Sequence, residues 1–342
     1  MKSMITKKIV LVLATALVFT HCTEKVSEIE STKITKADEV LVDSMATEET
    51  VALLTNLRSF AVDKVLFGHQ ETTAYGVGWK NDGAENRSDV KKVCGDFPAV
   101  YGWDIGKISQ VTNNDGVPFD QMKALIKDAY ERGGINTISF HQANPVTETH
   151  SWDTTSAVPY ILPGGHSHTK YLERLDLVAE FMHDLKADDG SLIPVIFRPY
   201  HEHNGDWFWW GKGPASEKDF IALWQFTVNY LKNDKNVHNL LYAFSPDRSR
   251  VKDPANPIEY LYGYPGDDYV DIIGVDNYFD VGSHWNTKPL DQQSVSFINS
   301  LEVIVQLAEE RGKIPALTES GLDKLHIDDW WTDMLLAGVD AN

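Results

Sequence analysis

Residues Leu192-Ile193-Pro194-Val195-Ile196-Phe197 form a short apolar run that predicts a buried strand, and the chain turns abruptly polar where the run ends. The polar stretch is Arg198-Pro199-Tyr200-His201-Glu202-His203-Asn204-Gly205-Asp206, and Trp207-Phe208-Trp209-Trp210-Gly211 lies directly after it. A strand that buries its body and presents titratable side chains at its C-terminal end is how parallel α/β barrels expose reactive groups. One Glu between two His, with Trp residues just beyond, also supplies a proton donor, polar groups for hydroxyls and flat apolar faces for sugar rings.

The same grammar recurs along the chain. Apolar strands are predicted at 65–69, 99–104, 135–142, 193–197, 240–245, 271–278 and 314–320, with amphipathic helices at 120–132, 170–186, 217–232 and 295–311. Every strand ends in a polar or aromatic residue: His69, Asp104, His141, Glu202, Asp247, Tyr278 and Glu319. A doubly wound sheet would gather its site at one switch point, so polar ends all round indicate an α/β fold closed as a (β/α)8 TIM-type barrel. Only seven strands are counted. The segment after Glu319 suffices for a loop and a helix over 328–336, which leads us to expect a barrel without its final strand and helix.

The 342 residues and 42% apolar content suit one large domain. A net charge of −19 disfavours nucleic acid or an anionic membrane surface as partner, and is compatible with a neutral substrate. Lys2, Lys7 and Lys8 precede the apolar stretch 9–19, and Cys22 comes shortly after it, so residues 1–21 read as an export signal of lipoprotein type. His21 stands where such signals carry a small residue. Residues 22–45 read as a flexible tether and 46–342 as the catalytic barrel. These features predict an exported monomer, periplasmic, secreted or held at the outer membrane through a lipid on Cys22. Cys94 is the other cysteine and is expected to be a buried, small apolar side chain.

Two strand-end glutamates stand out, Glu202 on the fourth strand and Glu319 on the seventh. Across a barrel mouth such a pair can reach the separation of about 5–5.5 Å that retaining glycoside hydrolysis requires. The acid needs a raised pKa, which desolvation against Trp207 would supply; the nucleophile must stay ionised, helped by donors such as Tyr278 or His201. Asp104 and Asp276 are expected to be hydrogen-bond partners at the barrel mouth. Trp209 and Trp210 serve either loop packing or sugar contact, and His166 and His168 are read as loop residues.

The block Arg198-Pro199-Tyr200-His201-Glu202-His203-Asn204-Gly205 and the segment Thr318-Glu319-Ser320-Gly321, at this spacing, resemble glycoside hydrolase family 26, mostly endo-β-1,4-mannanases. The resemblance runs from about His69 to Trp331. It implies Glu202 as acid/base and Glu319 as nucleophile in double displacement on mannan, galactomannan or glucomannan, with no cofactor. It further implies His141, His201, Trp207 and Tyr278 around the reacting sugar, and Trp152 and Trp103 as more distant aromatic contacts. Relatives that cleave mixed-linkage glucan or β-1,3-xylan keep those linkages open.

Two rivals come from other classes. One is a metal hydrolase using His69, His141, His201 and His203, which lacks a compact ligand motif. The other is a non-catalytic glycan-binding barrel, against which the intact Glu202 and Glu319 argue.

Overall fold

Each apolar segment has two surfaces to cover, because alternate side chains point to the helices outside and to the interior of the sheet. The computed structural model describes residues 41–80 and 86–342. Its main strands are β1 (Gly68–Gln70), β2 (Val100–Asp104), β3 (Ile135–Ser139), β4 (Val195–Arg198), β5 (Leu240–Phe244), β6 (Ile272–Asp276) and β7 (Ile314–Glu319). All pair in parallel, each with its neighbours in sequence. A doubly wound sheet reverses its order at a switch point. The unbroken order here is that of a (β/α)8-type sheet, and among the described residues it has seven strands.

The helices α1 (Glu48–Phe60), α2 (Phe119–Glu131), α3 (His168–Asp184), α4 (Glu217–Asn229) and α5 (Leu290–Arg311) follow the expected order, with α1 an addition. On β5, Leu240, Tyr242 and Phe244 join the core shared with the helices, whereas Leu241 and Ala243 turn to the interior. There they meet Ile272, Ile314 and three side chains of α1, namely Leu53, Leu54 and Leu57. Thr47 caps that helix by accepting from the backbone N–H of Thr50, and Glu48 and Glu49 sit in its positive first turn. One apolar stripe of a capped helix thus fills the interior of the sheet on the side away from the polar strand ends.

Several expectations need correction. Residues 41–45 belong to the folded body rather than to a tether. Val42 is buried and donates its N–H to Asp271 Oδ1 at 2.9 Å, and Asp43 accepts from His238 Nδ1 at 2.7 Å. The export signal, Cys22 and the rest of the expected tether lie outside the described residues. Cys94 is exposed, not buried, because it ends a short helix (Asp89–Cys94) with no buried residue. The first strand begins at Gly68, leaving Val65 and Phe67 exposed. The segment expected as a helix over 328–336 is a π-helical turn, Trp330–Leu336, running into the short helix Ala337–Asp340.

Candidate active site

Strand parity carries a charge into the interior. Ile196 faces inward on β4, and Arg198, two residues on, shares that face. Arg198 is almost wholly buried and is shared between two strands: Nη1 donates to Asp276 Oδ2 at 3.0 Å and to Ser245 Oγ at 3.1 Å, while Nη2 donates to Glu319 Oε1. Asp276 ends β6 and Glu319 ends β7. A register shift at Val275/Asp276 sets these two residues opposite each other, where regular pairing would have matched Asp276 with Thr318. Gly274 permits the close approach of the two strands, since a Cβ there would lie 2.5 Å from Thr318 Cγ2.

Glu202 stands beyond β4 with φ of 53°, in the left-handed region that non-glycine residues seldom adopt. Its N–H donates to Ser245 O at 2.8 Å, and its C=O accepts from Gly205 N at 2.9 Å, so the chain turns back on itself. The turn returns Trp207, whose indole N–H donates to Glu202 Oε2 at 2.8 Å. Gly205 is required beneath that ring, because a Cβ would lie 2.4 Å from Trp207 Cη2.

Glu202, Asp276 and Glu319 each bring one carboxylate oxygen to within 4.8 Å of the others. Such a trio has the composition of a cation site, but Arg198, Tyr278 and Thr318 already occupy oxygens of Asp276 and Glu319. Burial raises the Glu202 carboxyl to about 9, with Asp276, Glu319 and Asp247 adding to the rise. Burial would raise Glu319 too; instead the Arg198 guanidinium, with help from the Tyr278 hydroxyl at 2.9 Å, holds it below the ordinary value. Asp276 is pushed up to about 8 by burial, against the pull of Arg198. The two glutamates thus shift in opposite directions at one strand-end mouth.

The remaining side chains sort by depth. His141 is part-exposed, stacks on Trp152 with ring centroids 5.6 Å apart, and meets His201 edge-on at 4.3 Å. Trp152 is 53% exposed and lies at the rim. Tyr278, Trp207, His141 and His201 therefore surround or adjoin the two glutamates.

Trp103 does not join them. It is fully buried and donates to Asn136 Oδ1 at 2.8 Å, because on β2 its parity faces the helices. Trp209 and Trp210 are fully buried as well, with their indoles bonded to Gln142 O at 3.0 Å and His201 O at 2.9 Å. Packing is their part.

The four histidines of the metal reading do not converge. His203 is buried, bonded through Nε2 to Tyr262 O at 2.6 Å and stacked on Phe220, while His69 is exposed and bonded to Gln70 O. No role for Arg198 emerged from the residues alone, although a charged residue on the inward parity of an apolar strand was a signal for one. Phe208, which touches both His141 and His201, carried no such signal.

The sequence model of glycosyl hydrolase family 26 matches residues 42–333. A mannan endo-1,4-β-mannosidase of Bifidobacterium adolescentis is 37% identical over 334 residues, covering 94% of this chain and 32% of the relative. A mannan endo-1,4-β-mannosidase of Bacillus subtilis is 33% identical, covering 57% of this chain and 54% of the relative. The chain thus spans only about a third to a half of these curated relatives. Among solved structures, a family 26 β-mannanase from Bacteroides ovatus superimposes with a TM-score of 0.79 at 41% identity, covering 86% of this chain and 82% of that one. A modular endo-β-1,4-mannanase from Cellulomonas fimi gives 0.79 at 37% identity, with 88% and 67% covered. By the extent of the family match, and with a fold shared at this level of identity, the chain belongs to glycosyl hydrolase family 26.

Proposed function

We propose that this chain is a retaining endo-β-1,4-mannanase acting on mannan, galactomannan or glucomannan by double displacement. The observation that carries the reading is the glutamate pair, with one oxygen of each within 4.8 Å of the other and proton affinities pushed apart. That spacing suits direct attack on the sugar, since inverting enzymes hold their carboxyls about 6.5–9.5 Å apart to admit a water. The mannan endo-1,4-β-mannosidase activity named for the two curated relatives supports mannan as the polymer.

In this reading Glu319 attacks the anomeric carbon while Glu202 gives its proton to the departing oxygen, breaking the glycosidic bond. Glu202, now a base, takes a proton from water, which displaces Glu319 from the sugar and restores both groups. Arg198 and Tyr278 keep Glu319 ionised and aimed. Trp207 holds the Glu202 carboxyl in place. His141, His201, Tyr278 and Trp207 line the reacting sugar, with Trp152 as a platform for its neighbour.

The test is the anomeric form of the first product, followed by proton NMR, together with Glu202→Ala and Glu319→Ala. Retention is expected, with Glu319→Ala inactive on every substrate. Glu202→Ala is expected to keep cleaving aryl β-mannosides whose leaving group needs little protonation. Inversion, or equal loss on polymer and aryl substrate in Glu202→Ala, overturns the reading. Faster cleavage of mixed-linkage glucan or β-1,3-xylan than of mannan overturns the substrate.

A further inference from the structure

Three elements of the mouth meet through two histidine rings. Asp104, the last residue of β2, is buried and collects five donors. Oδ2 accepts from Ser139 Oγ at 2.9 Å, from His141 N at 3.0 Å and from His141 Nδ1 at 2.8 Å. Oδ1 accepts from Gly106 N at 2.8 Å and Asn114 Nδ2 at 3.4 Å. A carboxyl so surrounded is ionised and can only accept, so the proton on His141 Nδ1 is fixed.

The far nitrogen of His141 then meets its partner. His141 Nε2 and His201 Nε2 lie 2.9 Å apart, a separation that holds one proton and excludes two. The last nitrogen of the pair, His201 Nδ1, is buried with no hydrogen-bond partner among the described residues. Two charge states of the pair satisfy these contacts. In the neutral one, His201 carries its proton on Nε2 and donates it to the bare Nε2 of His141, leaving an unpaired acceptor at His201 Nδ1. In the charged one, His141 holds both its protons and donates to His201, whose own proton must then sit on Nδ1 as an unpaired buried donor beside a charged ring. The second arrangement is the costlier on both counts.

Charge around the rings pulls the two in opposite directions. Burial opposes a cation on His141, but Asp104 and Glu319 outweigh burial and Arg198 and lift its pKa above the ordinary value. His201 is held well below the ordinary value by burial, with His141, Arg198 and His203 adding to the effect. Asp115, in the loop after β2, also feels His141. The ring contact decides, because an added proton can lodge only on the buried Nδ1 of His201, where it would be an unpaired donor beside a charged ring.

We propose that Asp104 is a positioning residue: through His141 it fixes the proton of His201 on Nε2 and keeps the histidine pair uncharged at the reacting centre. Arg198 is then the cation that faces Glu319, and the pair presents a fixed, neutral hydrogen-bond pattern over a pH range in which free histidines titrate. The proposal rests on Glu319 and Glu202 being the reacting groups, but its first test does not need turnover.

Nitrogen-15 NMR of the full chain, labelled at histidine, reads both tautomers directly. Expected are His141 protonated on Nδ1 and His201 on Nε2, with neither ring gaining a proton between about pH 5.5 and 8, around the free-histidine value of about 6.5. A doubly protonated His141 in that window, or His201 protonated on Nδ1, overturns the proposal whatever the enzyme cleaves. The second test is Asp104→Asn, compared with the parent by pH–rate profile. With the anchor gone, the His141 ring can expose a lone pair, and a new ionisation near the free-histidine value of about 6.5 enters the acid limb of kcat/KM. A profile lower in amplitude but unchanged in shape would mean that Asp104 is only structural. Failure of the glutamate roles shows separately, through the aryl-mannoside rates of the Glu202 variant.

Discussion

Trp207 donates its indole N–H to Glu202 Oε2 at 2.8 Å, so the ring that covers the carboxyl also favours its ionised form. The two influences oppose each other, and burial prevails, leaving the carboxyl at about 9. Trp207→Phe keeps the apolar cover and deletes the bond. The alkaline limb of kcat/KM is therefore expected to move up by roughly one unit, the size of one hydrogen bond to a charged group. Trp207→Ala admits water and is expected to move the same limb down. Profiles on mannan for the two variants check the opposite signs.

Arg198 is the shared cation of Asp276 and Glu319. In Arg198→Met both carboxyls stay buried without it, so Glu319 takes up a proton more readily and the acid limb of kcat/KM moves to higher pH. Loss of aim on Glu319 is expected to lower kcat/KM by about 10²-fold. Thermal stability should also fall, since removing one partner of a buried pair costs about 3–5 kcal/mol. An unmoved acid limb would mean that Arg198 does not set the charge of Glu319.

Trp152 and Trp103 provide a contrast in depth. Trp152 is 53% exposed and stacked on His141, whereas Trp103 is fully buried. Trp152→Ala is expected to raise KM for mannan about 10-fold, equivalent to about 1.4 kcal/mol, with unfolding unchanged. Trp103→Phe, which loses the bond to Asn136, should lower stability by about 1–2 kcal/mol and leave KM unchanged. Kinetics and calorimetry on both variants separate the two roles.

Glu71 lies beyond β1, buried, with φ of 46°, and its Oε1 accepts from Asn113 Nδ2 at 2.5 Å. Burial, helped by Asp115, raises it from 4.5 to about 7. A raised carboxyl keeps its proton longer in the folded than in the unfolded chain. Its contribution to stability is therefore complete below 4.5 and lost as pH climbs to about 7. Glu71→Gln mimics the protonated form. Its melting temperature is expected to match the parent's below pH 4.5 and to exceed it above pH 7.

Strand order, the two glutamates and the polar strand ends were legible in the residues themselves, because each depends on local pattern: an apolar run, a parity, a motif. The same pattern could not say which way Trp103 faces, since a tryptophan beside a strand end looks alike whether it packs or binds; the side of β2 it occupies is set by pairing with β1 and β3. The burial of Val42 and Asp43 and the filling of the sheet interior by α1 were equally hidden, because their partners lie about two hundred residues away. Chemistry at the mouth follows the same division. The residues named Glu202 and Glu319, but a shared arginine, a register shift at Asp276 and a ring contact between His141 and His201 set their charges. Charge in a buried site depends on distance and desolvation, and both are decided only when strands distant in sequence come together.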